Sequence, residues 1–408
     1  MRSLCFPRTQ SSSTGSNLSR QELGAFRLLS KMPLKIGIVC YPTIGGSGIV
    51  ATSLGIELAR RGHEVHFISY ERPFRLPLEH ASIRFHPVDI GDHELFKYPD
   101  YTLPLSVKMA EVSRAHRLDI LHVHYAVPHA TAAILALSML EGSQRPKVVT
   151  TLHGTDTTLL GCHPAYGPAI RHALERSDTV TAVSTFLEGE TRRLLQITRP
   201  IDVIHNFVSP VSPQRSRSEV RLELGVGEGE ALLIHASNLR SIKRIDLLLQ
   251  VAALLKTRDC FRLLILAGES FAPFEAEVRR LGLEDRIIVR ERILNVEEYY
   301  SAADIGVVTS DSESFCLSIL DGMFYGGPSV STRVGGIPEV IQSDSTGLLV
   351  DPGDAEALAC GIGELIANRD RRLAMGQAAK RFAESHFTPE IIVPAYERLY
   401  YREVGKPR

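Results

Sequence analysis

The strongest candidate for chemistry is a pair of acids at a strand-to-helix junction. In Ser310-Asp-Ser-Glu313-Ser-Phe-Cys-Leu-Ser-Ile-Leu-Asp321 an apolar strand ends, Glu313 stands at the start of a helix, and Asp321 follows about two turns later. Two carboxylates offset in this way can accept hydrogen bonds from neighbouring hydroxyls of a polyol, while the helix N-terminus between them faces a phosphate. Each acid taken alone is equally well explained as a helix cap or as an unrelated helix residue.

Basic residues follow another strand, in Ser237-Asn-Leu-Arg240-Ser-Ile-Lys243-Arg244. Three cations within five residues at a strand end are typical of a pyrophosphate site, although a basic surface loop would have the same composition. Arg171 is a single charge in a mostly apolar predicted helix, and Lys108 is a single charge in the otherwise apolar segment Leu105-Ser-Val-Lys-Met-Ala110. Either a bound carboxylate or a solvated surface accounts for such a charge.

A glycine-rich turn, Pro42-Thr-Ile-Gly45-Gly46-Ser47-Gly48, joins the first strand to a helix. Glycines there let backbone N–H groups approach a phosphate, and a tight turn without a ligand is the alternative. The fingerprint G-x-G-x-x-G is absent, as is the phosphate-binding G-x-x-x-x-G-K-[ST]. A nicotinamide-dependent oxidoreductase is therefore the weakest of the enzyme hypotheses.

Six histidines lie between His122 and His172. A zinc site would need the H-E-x-x-H pair or a cysteine at ligand spacing, and neither is present. We therefore expect hydrogen-bonded or substrate-binding histidines here, with no metal. His153 is the best functional candidate, because it ends a strand and precedes Gly154, which opens space.

The elements that position these residues alternate between strand and helix. Seven apolar strands are predicted from Leu34–Cys40 to Asp202–His205, and six more from Leu232–Ser237 to Gly347–Val350. Nearly unbroken apolar strands separated by helices predict parallel sheets covered on both faces. We expect an α/β fold of two Rossmann-like, doubly wound domains that face a cleft, with ligands at the carboxyl ends of the strands.

The domain boundaries follow from composition. Residues 32–206 form the first predicted domain, the Pro/Ser-rich stretch 207–230 a linker, and residues 231–386 the second domain. A last helix within 387–408 is expected to return to the first domain. Residues 1–31 are rich in Ser and Arg and lack the apolar stretch of a secretory signal, which predicts a disordered or non-native N-terminal extension.

Charge and cysteine content exclude several classes of protein. The chain has 408 residues, with 46 Lys and Arg against 47 Asp and Glu. This balance argues against a protein that coats nucleic acid or an anionic membrane. No apolar run reaches the roughly 18 residues of a membrane helix. The six cysteines are scattered, which is typical of a reduced, cytoplasmic protein.

Together these motifs resemble the retaining GT-B glycosyltransferases of family four. Glu313…Asp321, the block Gly335-Gly-Ile-Pro-Glu-Val340 and the Gly45-Gly46 turn occur in the order of that family, and the resemblance spans about residues 33 to 400. The N-terminal half is similar in particular to members that transfer N-acetylglucosamine from UDP-N-acetylglucosamine to L-malate, the first step of bacillithiol biosynthesis. The similar segments are Tyr41–Thr52, Leu121–His129, Val149–Asp156, Ser177–Ser184 and Ser237–Arg244.

The resemblance implies a role for each motif residue. The catalytic residues would be His153, Lys243 and Glu313. The donor would be bound by Gly46, Asn238, Arg240, Lys243, Arg244, Ile293, Glu313, Cys316, Leu317, Ser318 and Asp321. The acceptor would be bound by Ser47, Lys108, Tyr125, Thr155 and Arg171.

The resemblance also implies a mechanism without a metal or other cofactor. Lys243, backbone N–H groups and a helix dipole can stabilise the departing uridine diphosphate. Retention would follow from front-face attack, in which the departing phosphate accepts the hydroxyl proton, so no glycosidase-type carboxylate pair is needed.

Three departures from the family pattern keep alternatives open. Asp321 stands where the family has Glu, Cys316 where it has Gly, and Glu291 where a Gly is usual. The first alternative is another family-four transferase whose acceptor is a sugar phosphate or a lipid-linked glycan. The second is a catalytically impaired protein that binds a nucleotide sugar. A homo-oligomer also stays open.

Overall fold

The chain is described here by a computed structural model covering residues 32–43, 45–91, 100–142, 145–257 and 260–405. The predicted extension, residues 1–31, lies outside the described residues. The first sheet has seven parallel strands in the order β3-β2-β1-β4-β5-β6-β7. These strands are β1 (Lys35–Val39), β2 (Glu64–Ser69), β3 (Ile83–Pro87), β4 (Ile120–His124), β5 (Lys147–Leu152), β6 (Thr179–Ala182) and β7 (Ile201–Val203).

The second sheet has six parallel strands in the order β10-β9-β8-β11-β12-β13. They are β8 (Ala231–Ser237), β9 (Phe261–Ala267), β10 (Ile287–Glu291), β11 (Ile305–Val308), β12 (Ser329–Thr332) and β13 (Gly347–Val350). Both orders reverse direction next to the first strand of the sheet, which creates a topological switch point where open α/β sheets bind ligands. The predicted fold of two parallel-sheet domains is confirmed.

Helices connect the strands and cover both sheets. Along the first sheet they are α1 (Ser47–Arg60), α2 (Thr102–His116), α3 (Thr131–Ser138), α4 (Gly167–Arg176) and α5 (Thr185–Leu195). Further along the chain they are α6 (Arg217–Glu223), α7 (Ile245–Lys256), α8 (Glu275–Leu281), α9 (Val296–Ala302), α10 (Leu317–Phe324), α11 (Ile337–Val340), α12 (Ala355–Ala367), α13 (Arg369–His386) and α14 (Pro389–Val404). None of the helices in the described residues is both long and apolar enough to cross a bilayer.

The segment predicted as a linker, 207–230, contains a helix. Ser216 and Glu219 form a reciprocal capping box that starts α6. Val220 and Leu224 are buried in a hydrophobic cluster with β8 and α9, so this half of the segment packs on the second sheet. The polar stretch before Ser216 makes the passage between the two sheets.

The last helix packs on the first sheet. Ile392, Val393, Tyr396 and Tyr400 of α14 are buried in one cluster with residues of β1 and α1. The hydroxyl of Tyr400 lies 2.7 Å from Nδ1 of His122 on β4. After the second domain the chain therefore returns to the first, and α14 packs on the first sheet.

Candidate active site

A half-buried ion pair lies at the carboxyl edge of the second sheet. Lys243, in the turn after β8, places Nζ 2.6 Å from Oε1 of Glu313 in the loop before α10. The hydroxyl of Ser310 donates to the same oxygen at 2.7 Å. Burial alone would lower the pKa of Lys243, but the Glu313 carboxylate outweighs it and the pKa is raised. Two predicted catalytic residues thus form one charged unit, with Lys243 fully protonated.

The other cations of this turn differ in how they are paired. Arg244 is held by Asp246 and by Asp311, each at 2.9 Å, so its charge is already neutralised. Among the described residues no carboxylate lies within ion-pair distance of the exposed Arg240. The amide oxygen of Asn238 is buried and has no hydrogen-bond partner in the described part of the chain. Arg240 and Asn238 are therefore the predicted donor residues with bonding capacity to spare.

The start of α10 has an unusual backbone. Cys316 has φ 75° and ψ 79°, in the left-handed region, and no side chain caps the helix. A residue with a Cβ costs about 1–2 kcal/mol there, whereas the Gly that the family resemblance implies at this position would cost almost nothing. The Cys316 thiol is buried, which raises its pKa to about 12, and its sulfur lies 3.3 Å from the Ser318 hydroxyl. The N–H of Ile319 bonds the Cys316 sulfur, which leaves the N–H groups of Leu317 and Ser318 for a ligand.

Asp321 lies one to two turns into α10, where it is half-buried. Burial raises the pKa of its carboxyl to about 7, with Arg75 opposing this effect. Arg75 comes from the first domain and donates to the carbonyl of Leu294 at 2.9 Å and to Glu297 at 3.0 Å. Ile293, predicted to frame the base, packs against the adjacent hydrophobic cluster. A residue of the first domain thus reaches the predicted nucleoside end of the site.

On the first domain, Tyr125 brings together three predicted acceptor residues. Burial raises the pKa of its hydroxyl, and hydrogen bonds with Ser47 and Thr155 oppose that shift. Arg240 lies within electrostatic reach of the same hydroxyl. Gly46, with φ 52°, precedes Ser47 at the start of α1. The glycine-rich turn, the end of β4 and the end of β5 therefore meet at one hydroxyl cluster.

His153 follows β5 beside that cluster. Its Nε2 lies 2.9 Å from Nδ1 of His124, and its ring packs on Tyr125 with 5.3 Å between centroids. Burial lowers the pKa of His153 to about 3, so the ring is neutral at pH 7. A neutral imidazole there can donate or accept a hydrogen bond, depending on the tautomer that His124 selects.

Asp156 was not among the predicted site residues, yet its carboxylate organises them. It is fully buried and accepts hydrogen bonds from the backbone N–H groups of Gly154 at 2.9 Å, Ala126 at 3.1 Å and His153 at 3.3 Å. Burial raises its pKa to about 6, while these hydrogen bonds act in the opposite direction. The carboxylate ties the loops after β4 and β5 together. The pattern Gly154-Thr-Asp156 carried this signal, because a short polar side chain after a glycine turn commonly bonds nearby N–H groups.

The two halves of the site touch at Gly154. A Cβ built on this residue, which has φ 115°, would lie 1.7 Å from the hydroxyl oxygen of Ser314, next to Glu313. Gly335 fits as closely, since its Cβ would lie 1.8 Å from the carbonyl oxygen of Glu313. The absence of side chains here allows His153 and the Lys243–Glu313 pair to approach each other.

Glu339, in the Gly-Gly-Ile-Pro-Glu block of the second domain, bonds the first domain near the contact between Gly154 and Ser314. Its carboxylate accepts hydrogen bonds from the N–H groups of Thr185 and Phe186, both at 2.9 Å, at the start of α5. His205 lies 3.0 Å from it. These bonds outweigh burial and lower the pKa of Glu339 to about 2. The block predicted at the donor end of the second sheet thus also anchors the first domain.

Two predicted acceptor residues lie in protein contacts of their own. Lys108, on α2, donates to Glu111 at 2.8 Å. Arg171 is on the exposed face of α4 and donates to the carbonyl of Gln196 at 3.3 Å. The apolar residues of α4 face the core while Arg171 does not, so the helix is amphipathic rather than mostly apolar. No contact joins Lys108 or Arg171 to the Tyr125 cluster in the described residues, and their acceptor roles stay predictions.

Comparison with known proteins identifies the family. The model for Glycosyltransferase Family 4 matches residues 44–211, and that for Glycosyl transferases group 1 matches residues 216–382. The N-acetyl-alpha-D-glucosaminyl L-malate synthase of Bacillus anthracis is 43% identical over 372 residues, covering 91% of this chain and 97% of that protein. The chain belongs to the family-four glycosyltransferases. The resemblance seen in its motifs is confirmed.

More distant relatives share the architecture of this glycosyltransferase. The D-inositol 3-phosphate glycosyltransferase of Xylanimonas cellulosilytica is 28% identical over 368 residues, which cover 82% of this chain and 87% of that protein. Sucrose-phosphate synthase from Thermosynechococcus elongatus superposes with a TM-score of 0.74 at 22% identity, covering 90% and 98% of the two chains. Anabaena Alr3699/HepE in complex with UDP-glucose gives a TM-score of 0.74 at 20% identity, covering 91% and 99%. The fold is thus the predicted GT-B arrangement.

Proposed function

We propose that this glycosyltransferase moves N-acetylglucosamine from UDP-N-acetylglucosamine to the hydroxyl of L-malate, with retention and without a metal. The observation that carries the proposal is the meeting of two units at Gly154. One is the hydroxyl cluster of Ser47, Tyr125 and Thr155, and the other is the Lys243–Glu313 pair. The 43% identity to a synthase named for this reaction supports the choice of substrates.

On the donor side, each group has a task in the proposed reaction. Lys243 and Arg240 meet the diphosphate, and the uncapped start of α10 adds N–H donors. Glu313 accepts hydrogen bonds from sugar hydroxyls, and Asp321 from the ribose. As the glycosidic bond breaks, negative charge grows on the diphosphate, and the fixed cations stabilise that charge.

On the acceptor side, malate is a dianion beside a neutral wall of hydroxyls and a neutral His153. The cations that it needs are Arg240, Lys108 and Arg171, of which Arg240 lies within electrostatic reach of the Tyr125 hydroxyl. Ser47, Tyr125 and Thr155 can hydrogen-bond a carboxylate and its neighbouring hydroxyl. In front-face attack, the departing phosphate takes the malate hydroxyl proton.

Release of UDP tests the substrate assignment. Purified protein and UDP-N-acetylglucosamine are assayed with L-malate, D-malate, succinate and inositol 3-phosphate in parallel, and only L-malate is expected to give stoichiometric UDP. Succinate is the matched control, because it keeps both carboxylates and lacks the hydroxyl. Release with inositol 3-phosphate instead would assign a sugar-phosphate acceptor. Donor binding without release for any acceptor would leave a nucleotide-sugar-binding protein.

Chelation tests the metal-independent chemistry. We expect the transfer rate to stay within about twofold after exhaustive EDTA treatment, since Lys243 and backbone donors stabilise the leaving group. Loss of activity that a divalent ion restores would contradict this mechanism. The anomeric configuration of the product, read from its proton coupling constant, tests retention separately.

The five described cysteines are all unpaired thiols, and three of them, Cys162, Cys260 and Cys360, are exposed. Exposed thiols without partners are typical of proteins kept in a reducing compartment. This feature supports a cytoplasmic site for the proposed reaction.

A further inference from the structure

Three histidines converge at the edge of the first sheet. His66 of β2 and His86 of β3 share one face of the sheet, because the parallel register pairs His86 with Ile68, two residues after His66. His116 is the last residue of α2, which packs on that face. One ring nitrogen from each histidine lies within 4.8 Å of the other two. No other group of His, Cys, Asp or Glu in the described residues converges in this way.

A carboxylate fixes the orientation of the central ring. Nε2 of His66 lies 3.1 Å from Oε1 of Glu64, which can only accept, so Nε2 carries the proton. Nδ1 of the neutral ring therefore has a lone pair and accepts a hydrogen bond from Nε2 of His86 at 2.9 Å. A metal ion would take the place of that proton once His86 adopts its other tautomer. This carboxylate–imidazole arrangement is the one that orients metal-binding histidines in proteins.

The third ring has no hydrogen bond to explain its position. The side chain of His116 makes none in the described part of the chain, yet its ring centroid lies 4.3 Å from that of His66 and 5.2 Å from that of His86. His66 is fully buried, whereas His86 and His116 are half-buried. One nitrogen of each of the three rings therefore lies at a place that solvent can reach.

We propose that His66, His86 and His116 bind a divalent transition metal ion of the zinc type, with water as the fourth ligand. Three neutral imidazoles with one open position are a known zinc donor set, and imidazole also suits Co²⁺, Ni²⁺ and Cu²⁺. Zinc–nitrogen bonds of about 2.0–2.1 Å in a tetrahedron place ligand nitrogens about 3.3 Å apart. The His66–His86 separation needs to open by only about 0.4 Å to meet that value.

The charges around the cluster are compatible with a bound dication. Burial, with help from neighbouring rings, lowers the pKa of His66 to about 4, and burial, His116 and nearby cations lower that of His86 to about 4. Both rings are thus neutral at pH 7, which is the form of imidazole that binds a metal. The nearby cations are themselves paired, Arg84 and Lys35 with Glu64 and Lys108 with Glu111. The C-terminus of α2, where His116 lies, also favours positive charge.

The site is separate from the cleft and does not depend on the proposed substrates. His66 is the third residue of β2, so about 10 Å of strand separates it from the carboxyl edge of the sheet. A metal there would join the edge strand β3, its neighbour β2 and the end of α2. Its effect is therefore on the stability of the first domain rather than on transfer.

Titration with cobalt tests the proposal. Untagged, chelator-stripped full-length protein is titrated with Co²⁺, and we expect a single equivalent to give the intense visible bands of tetrahedral cobalt, which Zn²⁺ then removes. His116→Ala should weaken binding at least 100-fold, and Glu64→Gln by about 10–100-fold. Zn²⁺ should raise the melting temperature of the parent protein by several degrees and that of His116→Ala not at all.

His172→Ala is the matched control, since His172 is an exposed histidine on α4 of the same domain. It should bind cobalt as the parent does. Absence of stoichiometric binding by the parent, or full binding by His116→Ala with its fold intact by circular dichroism, would overturn the proposal. Transfer activity is measured in the same samples and is expected to stay unchanged, so failure here and failure of the proposed function are distinguishable.

Discussion

The two sides of the cleft keep their polar groups in place by different means. In the first domain, burial lowers the pKa of a series of histidines that pack on each other and on hydroxyls, so this side is neutral. The series comprises His122, His124, His129 and His153. In the second domain the central groups are charged, as in the Lys243–Glu313 pair and the Arg244 pairs with Asp246 and Asp311.

This difference assigns different tasks to the two domains. A neutral wall shapes an acceptor site but supplies little charge, so a dianionic acceptor needs cations from elsewhere. Arg240 has no ion pair within the described residues, and it lies within electrostatic reach of Tyr125 in the first domain. Acceptor binding therefore depends on both domains at once, which couples it to their contact at Gly154 and Ser314.

Acid should reveal the largest difference between the two domains, by destabilising the first more than the second. The unfolded histidine has a pKa of about 6.5, whereas burial lowers that of His122 to about 3 and that of His129 to about 4. As the pH falls below about 6.5, His122 and His129 become protonated in the unfolded chain but stay neutral in the folded chain. The free energy of unfolding therefore falls. Each of the two rings costs about 1.4 kcal/mol at pH 5.5 relative to pH 7.5. Urea unfolding at the two pH values measures the loss.

The comparison between the domains is sharpest in which sheet loses stability first in acid. Hydrogen exchange should open β4 and β5 before the second sheet, whose described part has one such histidine, His235, with a pKa lowered by burial to about 4. Asp156 opposes the trend, since its raised pKa lets the folded state take up a proton first between about pH 6 and 4. Earlier opening of the second sheet in acid would contradict the prediction that the histidine-rich first domain is the more acid-sensitive of the two.

Removing the charge of Lys243 should have the next largest effect. Lys243→Met leaves the half-buried Glu313 without its partner and removes a cation from the developing diphosphate charge. We expect kcat to fall by about 100- to 1,000-fold, the usual cost of one preorganised donor in a transition state. Steady-state kinetics with UDP-N-acetylglucosamine and L-malate measures it. Lys380→Met, an exposed lysine on α13 that pairs only with Glu384, is the control and should change nothing.

A double variant separates catalysis from folding at this pair. Lys243→Met should lower the melting temperature, because the half-buried Glu313 carboxylate loses its ion-pair partner. Adding Glu313→Gln removes that charge and should restore much of the stability while leaving the enzyme inactive. Activity that recovers together with stability would show that Lys243 acts only on the fold.

The sequence predicted the strands well because their signal is local. All thirteen predicted strands exist, with ends that differ from the prediction by at most two residues. The stretch Thr179–Ser184 ends as a strand at Ala182, because Ser184 leaves the sheet to cap α5 through the N–H of Leu187. Helix α2 was harder, since Pro104 lies in its first turn and Asp100, which accepts from the N–H of Thr102, lies outside the N-cap position. The capping box of α6 was visible in Ser216-x-x-Glu219, but the surrounding prolines favoured a linker.

The site was less accessible, because its contacts join distant parts of the chain. Lys243 and Glu313 are 70 residues apart, and only the neighbouring positions of β8 and β11 bring them together. The role of Asp156 depends on β4 and β5 being adjacent. The left-handed backbone of Cys316 could be inferred only from the family, which has Gly there, since nothing local to Phe315-Cys-Leu demands it.

The acceptor side can be tested through Arg171, whose predicted role no contact in the structure yet supports. A charge-assisted bond to a malate carboxylate is worth about 1.5–3 kcal/mol, so Arg171→Ala should lower kcat/KM for malate by roughly ten- to a hundredfold. Arg171→Lys should also lose activity, because an ammonium lacks the bidentate fork. Arg176→Ala, on the same helix and also exposed, is the control. If Arg171→Ala uses malate as well as the parent, Arg171 serves only to hold Gln196.

The smallest expected effect concerns Asp321, a carboxyl on the charged side of the cleft that is only partly ionised near neutral pH. Burial raises its pKa to about 7, so near neutral pH part of the protein carries a protonated Asp321 that accepts ribose hydroxyls poorly. Asp321→Glu lengthens the side chain by about one bond, about 1.5 Å, toward the cleft and toward Arg75. We expect the donor KM to stay the same or fall up to about threefold, with kcat unchanged. Asp321→Asn is the matched control and should raise the donor KM, because it replaces an acceptor oxygen by an NH₂ group without changing size. A donor KM raised tenfold by Asp321→Glu would mean that the pocket is fitted to the shorter acid, and the ribose contact would then belong to another residue.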